Sequence, residues 1–274
     1  MTKVWFVTGS SRGLGRAIVE AALDSGASVI ATARAVESLN AFTEKFGADR
    51  FLPLPVDVTK ENDVIRAVNA GHEKFGRIDV VVNNAGYANT AAVEDMDIQD
   101  FREQMETNFM GVVYVTKAVL PILRKQGAGH IFQVSSLGGR IGTPGVSAYQ
   151  SAKWAVGGFS TVLAQEVAPL GIKVTVLEPG GIRTDWAGPS MKIHPISEPY
   201  KPTVGAIAEM LKQLSGNELS LPGKIARIIV DLSEAEDVPL RLLLGPEAVD
   251  YAAKAAEALA ESDRKWRDVS LSSA

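Results

Sequence analysis

The sequence predicts an α/β protein: a mostly parallel, seven-stranded sheet, doubly wound, with helices on both faces. Three observations carry this. Short Val/Ile-rich runs alternate strictly with longer helical stretches from Lys3 to about Leu177. Those runs are apolar throughout, as in parallel sheets covered on both faces. The chain has 274 residues, 46% hydrophobic and 22% charged, enough for a sizeable core and unlike a disordered composition.

Taken in order, Lys3–Thr8 is the first strand, and a glycine-rich turn leads to a helix over Leu14–Ser25. Ser28–Ala33 is the second strand, followed by a helix over about Val36–Phe46. Phe51–Val56 is the third strand, with prolines that predict modest regularity at its start. A polar helix over about Lys60–Phe75 leads to the fourth strand, Ile78–Asn83. Asp97–Lys125 reads as one long helical stretch, and His130–Ser135 as the fifth strand. The small-residue run beginning at Tyr149 has helical character and is closed by Pro169 and Gly171, before a sixth strand at Ile172–Leu177. Right-handed crossovers between such strands put ligands at their carboxyl ends.

Beyond Pro179 the rhythm breaks. Residues 186–222 are proline-rich around one short amphipathic helix near Val204–Leu214. The segment is too long for a plain connection and too apolar for a linker, so it is expected to be a mobile lid over the site. A helix at Lys224–Leu232, a last strand at Leu240–Leu244 and a charged, Ala-rich helix at Glu247–Lys265 follow, with residues 266–274 expected to be a flexible tail. No internal repeat is visible, and residues 1–274 read as a single domain.

The net charge of −4 contains no basic block, which argues against nucleic acid as a partner. There is no cysteine, hence no disulfide or thiolate chemistry. His72, His130 and His194 are far apart and form no ligand pattern, so no metal is expected. The N-terminus runs straight into a strand without a leader, and no apolar run approaches the roughly 20 residues of a membrane helix. A cytoplasmic protein with no membrane partner is the expectation.

Tyr149 and Lys153 lie four apart, on one face of a helix and one turn from each other. An ammonium beside a phenol is expected to pull the phenol below its usual pKa of about 10 and allow proton exchange near neutrality. Alone the pair is a weak signal, and a half-buried aromatic beside a solvated lysine is the plain alternative. Gly9, Gly13 and Gly15 sit where the first strand turns into the first helix, so main-chain N–H groups and the helix dipole can face a pyrophosphate. Their spacing departs from the standard G-x-G-x-x-G fingerprint, and a helix-starting loop without a ligand is the alternative. At the end of the second strand stands Arg34, with no acid directly after it, and Arg12 adds a second guanidinium. An acid there would hold the ribose 2′-OH of NAD, whereas paired guanidiniums suit the 2′-phosphate of NADP(H).

Together these motifs resemble the short-chain dehydrogenase/reductase family, over nearly the whole chain and most closely up to Thr184. The residues that carry the resemblance are TGSSRGLG at 8–15, Asp57-Val58, Asn83-Asn84-Ala85-Gly86, Asn108, Ser136, Tyr149-x-x-x-Lys153 and Pro179-Gly-Gly-Ile-Arg-Thr184. The resemblance implies a Rossmann-type fold and an NADPH-dependent oxidoreductase. It implies that Gly9, Ser11, Arg12, Gly13, Leu14, Gly15 and Arg34 hold the cofactor. Asp57 and Val58 would meet the adenine, Asn83, Asn84, Ala85 and Gly86 would back the cofactor, and Pro179, Gly180, Ile182 and Thr184 would meet the nicotinamide end. From the residues alone, Asn83-Asn84 could equally be a turn.

Tyr149 would be the general acid, and Ser136 a donor to the developing alkoxide. Lys153 would tune Tyr149 and bind the nicotinamide ribose, and Asn108 would hold a water that relays protons to Lys153. Family spacing favours Ser136 over Ser135 for this role.

After Thr184 the sequence is similar to the steroid and retinol dehydrogenase branch of that family. It lacks the Gly-rich ending that packs into tetramers, so a homodimer is expected over a tetramer. Leu137, Ile141, Val146, Trp186, Met191 and Met210 are candidates for a substrate wall, suggesting a small-molecule apolar ketone or aldehyde, though each could be ordinary core packing. The alternatives are a 3-oxoacyl thioester reductase, which a basic patch at the site entrance would support, and a non-catalytic NADP(H)-binding sensor.

Overall fold

Each apolar run becomes a strand, and the strands form one sheet in the order β3-β2-β1-β4-β5-β6-β7, with every neighbouring pair parallel. The structure, a computed structural model, describes residues 2–187 and 191–274. The strands are β1 (Val4–Thr8), β2 (Ser28–Ala33), β3 (Phe51–Pro55), β4 (Val80–Asn83), β5 (Gly129–Val134), β6 (Ile172–Pro179) and β7 (Arg241–Leu244). The helices between them are α1 (Gly13–Asp24), α2 (Asn40–Phe46), α3 (Glu61–Phe75), α4 (Ile98–Met105), α5 (Gly111–Gln126) and α6 (Ser147–Val167). The C-terminal part adds α7 (Ala206–Leu214), α8 (Pro222–Glu234), α9 (Pro246–Lys265) and α10 (Arg267–Leu271).

Side chains alternate between the faces of a strand, and both faces here are dry. In β1, Trp5 and Val7 enter the core layer shared with α1, α2 and α8, while Val4 and Phe6 enter the layer shared with α3, α5 and α6. That is why the strands read as unbroken apolar runs. After β3 the chain crosses back to place β4 beside β1. Connections leave these two strands in opposite directions, which opens a crevice at their carboxyl ends.

Two segments differ from the sequence expectation, and two more gain detail. β3 is regular despite Pro53 and Pro55, because it is an edge strand and needs donors on one side only. The stretch expected as one long helix is interrupted at Glu106–Met110 by a π turn, which inserts a residue into the ladder and turns Asn108 fully inward.

The expected lid segment is stitched down where it is described. Thr90 N donates to Lys192 O at 2.8 Å, His194 N donates to Thr90 O at 2.9 Å, and His194 Nε2 lies 3.0 Å from Asp100 Oδ2. Residues 188–190 of that segment lie outside the described residues. The expected tail carries a short exposed helix, α10. Among the described residues, no helix is long and apolar enough to cross a membrane.

Two glycines test how the loops are built. Gly26 and Gly171 have φ of +97° and +73°, but a Cβ at Gly26 meets open space, whereas one at Gly171 would come 2.3 Å from Gly127 O. Gly26→Ala is expected to lose about 1–2 kcal/mol from left-handed strain alone. Gly171→Ala should lose clearly more, because the Gly127–Ala128 main chain must shift as well. Urea midpoints of the two variants check this; equal losses would contradict the close approach.

Candidate active site

The crevice is built from main chain. Asn84 N and Ala85 N both donate to Thr8 Oγ1, at 3.0 and 3.1 Å, and Asn84 Nδ2 donates back to Thr8 O and Gly9 O. This ties the loop after β4 to the glycine loop after β1. Gly9 adopts φ +67°, and a Cβ there would lie 2.8 Å from Ala85 Cα; at Gly15 it would lie 2.2 Å from Gly9 O. Only glycine allows the two loops to meet this closely. α1 starts with no side-chain cap, so the N–H groups of its first turn are left for another acceptor.

Over these loops opens a cleft of about 470 Å³. It is lined by the glycine loop (Gly9, Ser11, Arg12, Gly13, Leu14, Gly15), by Arg34, Asp57 and Val58, and by Asn84, Ala85 and Gly86. Pro179, Gly180, Ile182 and Thr184 close the far side, with Ser136, Tyr149 and Lys153 above. Sequence positions spread over most of the chain therefore converge on one cavity. Thr184 reaches the glycine loop directly, since a Cβ on Gly13 would meet its methyl group at 3.4 Å. Arg12 and Arg34 are exposed at the rim, and Asp57 Oδ1 accepts from Thr59 N and Oγ1, which fixes its carboxylate. A long, glycine-floored groove with an uncapped helix terminus and two rim guanidiniums fits a dinucleotide.

Tyr149 and Lys153 project from one face of α6, as expected, and both are buried. Lys153 Nζ donates to Val134 O at 2.7 Å and lies 5.5 Å from the Tyr149 ring centroid. Burial pushes the Tyr149 phenol up to about 12, with a hydrogen bond from Ser136 acting against it. Burial also pushes the Lys153 ammonium down to about 8. The expectation that Lys153 depresses the phenol is thus corrected. Desolvation of each charged form dominates, and the ammonium is directed at a carbonyl instead of at the phenol.

Ser135 Oγ is engaged by Lys153 O at 3.1 Å, whereas Ser136 reaches Tyr149. Asn108 faces Gly86 together with Lys153: a Cβ on that glycine would meet Asn108 Oδ1 at 2.5 Å and Lys153 Nζ at 3.5 Å. The Asn108 amide clasps the main chain of Tyr87, accepting from Tyr87 N at 3.1 Å and donating to Tyr87 O at 2.9 Å and Gln104 O at 2.8 Å.

The substrate-wall candidates separate. Trp186 lies over Tyr149, with ring centroids 5.2 Å apart, and Met191 joins the same apolar cluster with Ala88 and Leu211. Leu137 and Ile141 pack instead against Ala248 and Ala252 of α9. Val146 is buried at the start of α6, outside the lining of the cleft. Met210 is 44% exposed on the outer side of α7, and Leu211 and Leu214 of that helix line the cleft in its place. The spacing Val204, Ala208, Leu211 marks the inward face of this helix and was available from the sequence. Glu218 also lines the cleft, nine-tenths buried and with Oε1 unpartnered; no sequence pattern pointed to it.

A doubly wound sheet with a dinucleotide-shaped groove and a Ser-Tyr-Lys cluster at its end defines a class of hydride-transfer proteins. The model of the short chain dehydrogenase family matches residues 3–192. The chain is 69% identical to Oxidoreductase BOA17 of Botryotinia fuckeliana over the full length of both. It superposes with a TM-score of 0.93 on a short-chain dehydrogenase from Streptomyces avermitilis, 35% identical and fully covered on both sides. An alcohol dehydrogenase from Thermococcus sibiricus, complexed with 5-hydroxy-NADP, gives a TM-score of 0.73 at 27% identity, over 89% of this chain and 96% of that one. The chain belongs to the short-chain dehydrogenase family and is an oxidoreductase.

The buried lysine has a consequence for stability. An unfolded lysine holds its proton to about pH 10.5, the folded one only to about 8. Between these values the unfolded chain binds more protons, so stability rises with pH. Tyr149 acts oppositely, but only from about pH 10 upward. Wild type should therefore gain urea resistance relative to Lys153→Met from about pH 8 to about pH 10. A difference that stays flat across this range would contradict a desolvated ammonium.

Proposed function

We propose that this oxidoreductase is an NADP-dependent carbonyl reductase that reduces an apolar ketone or aldehyde to an alcohol. The single observation that carries the reading is the convergence of Ser136, a buried Tyr149 and a buried Lys153 on the cleft that the glycine loop floors. Burial keeps the Tyr149 phenol in its protonated form, and the alkoxide that forms on a reduced carbonyl, a stronger base than a phenolate, can take its proton.

The bound nicotinamide cofactor supplies the hydride. The chain's own groups do the rest: Tyr149 Oη delivers the proton, and Ser136 Oγ donates to the same substrate oxygen as charge builds there. Lys153, which also lines the groove, would keep a cation beside the phenolate that remains. Asn108 acts through the main chain of Tyr87, keeping the wall beside Gly86 in place. NADP(H) is favoured over NAD(H) by Arg12 and Arg34 at the rim, with no acid directly following the end of β2. Trp186, Met191, Leu211 and Leu214 supply an apolar wall near Tyr149.

A 3-oxoacyl thioester reductase is less well supported, because the side of the cleft at Trp186 carries Asp185 and Glu218 instead of a basic patch. A non-catalytic sensor would have no need of the assembled Ser136, Tyr149 and Lys153.

NADPH absorbance followed against a panel of apolar ketones and aldehydes should show oxidation, weak or absent with NADH. Tyr149→Phe is expected to lower kcat by about a hundredfold or more while NADPH still binds; near-normal turnover would overturn the assignment. Arg34→Asp should weaken NADPH binding by about tenfold or more, the scale of one charge-assisted phosphate contact, and leave NADH binding nearly unchanged. Equal losses for both cofactors would remove Arg34 from the 2′-phosphate site.

A further inference from the structure

We propose that Glu178, clamped between Arg140 and Arg241, is a positioning residue whose charge brace holds the Ser136 turn against the strand under the cofactor groove and against the Tyr149–Lys153 helix. The inference rests on the reading that Ser136 and Tyr149 act on the carbonyl oxygen.

Glu178 lies in β6, directly before Pro179 and Gly180, and its side chain is completely buried. From β7, Arg241 Nε and Nη2 each approach Oε1 at 2.9 Å. From the other side, Arg140 Nη2 lies 2.5 Å from Oε2. The angle of this second contact is not that of a hydrogen bond, since Glu178 Oε2 and Arg140 Nε have no hydrogen-bond partner. The Arg140 arm is therefore held by charge, the Arg241 arm by charge and by one directional bond, from Nε to Oε1.

Each arm ends on a different part of the site. Arg140 closes the short turn Leu137–Gly139, which begins at Ser136: Ser136 Oγ accepts from Gly138 N at 3.0 Å, and Arg140 N donates to Leu137 O at 2.8 Å. This turn lies directly on α6, because a Cβ on Gly139 would come 3.0 Å from Lys153 O. Arg241 crosses α6 at Gly157, one turn beyond Lys153, where a Cβ would lie 2.4 Å from its Nη2. One buried carboxylate thus connects the serine turn, the strand beneath the groove and the general-acid helix.

Energetics argue that the brace serves geometry more than stability. A buried ion cluster contributes little compared with apolar side chains of the same volume, because desolvation offsets the attraction. A donor to a developing oxyanion, in contrast, must sit within a few tenths of an ångström, and a shift of about 1 Å can cost about a hundredfold in rate.

The test uses Arg140, because removing Glu178 would strand two guanidiniums and risks unfolding. Arg140→Met cuts the serine arm while the Glu178–Arg241 pair remains, Arg140→Lys restores the charge, and Ile229→Val on α8 is a remote core control. Hydrogen exchange of the amides at 136–141 needs no substrate and should quicken by about tenfold in Arg140→Met, with β5 amides unchanged. With a ketone that wild type reduces, kcat should fall by about tenfold in Arg140→Met, with the NADPH dissociation constant within about twofold, and recover partly in Arg140→Lys. Unchanged exchange in the turn, wild-type kcat in Arg140→Met, or an equal loss in Ile229→Val would overturn the brace. Undiminished turnover in Tyr149→Phe would instead overturn the underlying catalytic reading, and the exchange result would still decide whether Arg140 holds the turn.

Discussion

Two stretches of main chain, Gly9–Gly15 and Asn84–Gly86, must touch where the sheet reverses direction, and the rest of the site hangs on that contact. Thr8 and Asn84 supply reciprocal side-chain hydrogen bonds, and the absence of a Cβ at Gly9 and Gly15 makes the approach possible. Because each loop follows directly from a strand buried on both faces, the position of the contact is inherited from the core and not from the loops themselves. The cleft, the uncapped start of α1 and the placement of Gly86 beside Asn108 and Lys153 all follow from it.

Burial then decides the chemistry. Proximity of Tyr149 and Lys153 suggests a phenol made acidic by its neighbour, yet the interior penalises both charged forms and moves the two groups in opposite directions. Lys153 is meanwhile anchored to Val134 O, so its role is joined to the end of β5 as much as to Tyr149. A second buried charge, Glu178, sits one strand away and is tolerated because it has a guanidinium on each side.

The wall above Tyr149 comes from a segment clasped to the loop after β4 by Thr90 and to α4 by the His194–Asp100 pair. The clasp brings Met191 and Trp186 onto Tyr149 although they are distant in sequence from it. Leu137 and Ile141 lie close to Ser136 along the chain, but α9 covers them, and α9 is far away in sequence. Nearness along the chain is a poor guide here because the C-terminal helix folds back onto the serine turn.

The sequence by itself determined the strands, their parallel pairing and the positions of the glycine loop, Asn84, Ser136, Tyr149 and Lys153. Those features are local: apolar periodicity, glycine at close approaches, and a four-residue spacing on a helix each act within a few residues. Element ends moved only slightly, and the π turn at Glu106–Met110 escaped because an extra residue in a helix leaves no mark on apolar spacing. Tertiary structure alone decided the rest. The Tyr149 phenol shifted upward instead of downward because desolvation depends on everything packed around it. Met210 gave way to Leu211 and Leu214 because the docking angle of α7 selects its inner face. Arg140, Glu178 and Arg241 came together because three separate elements end at one point, a coincidence of long-range packing that no local pattern encodes.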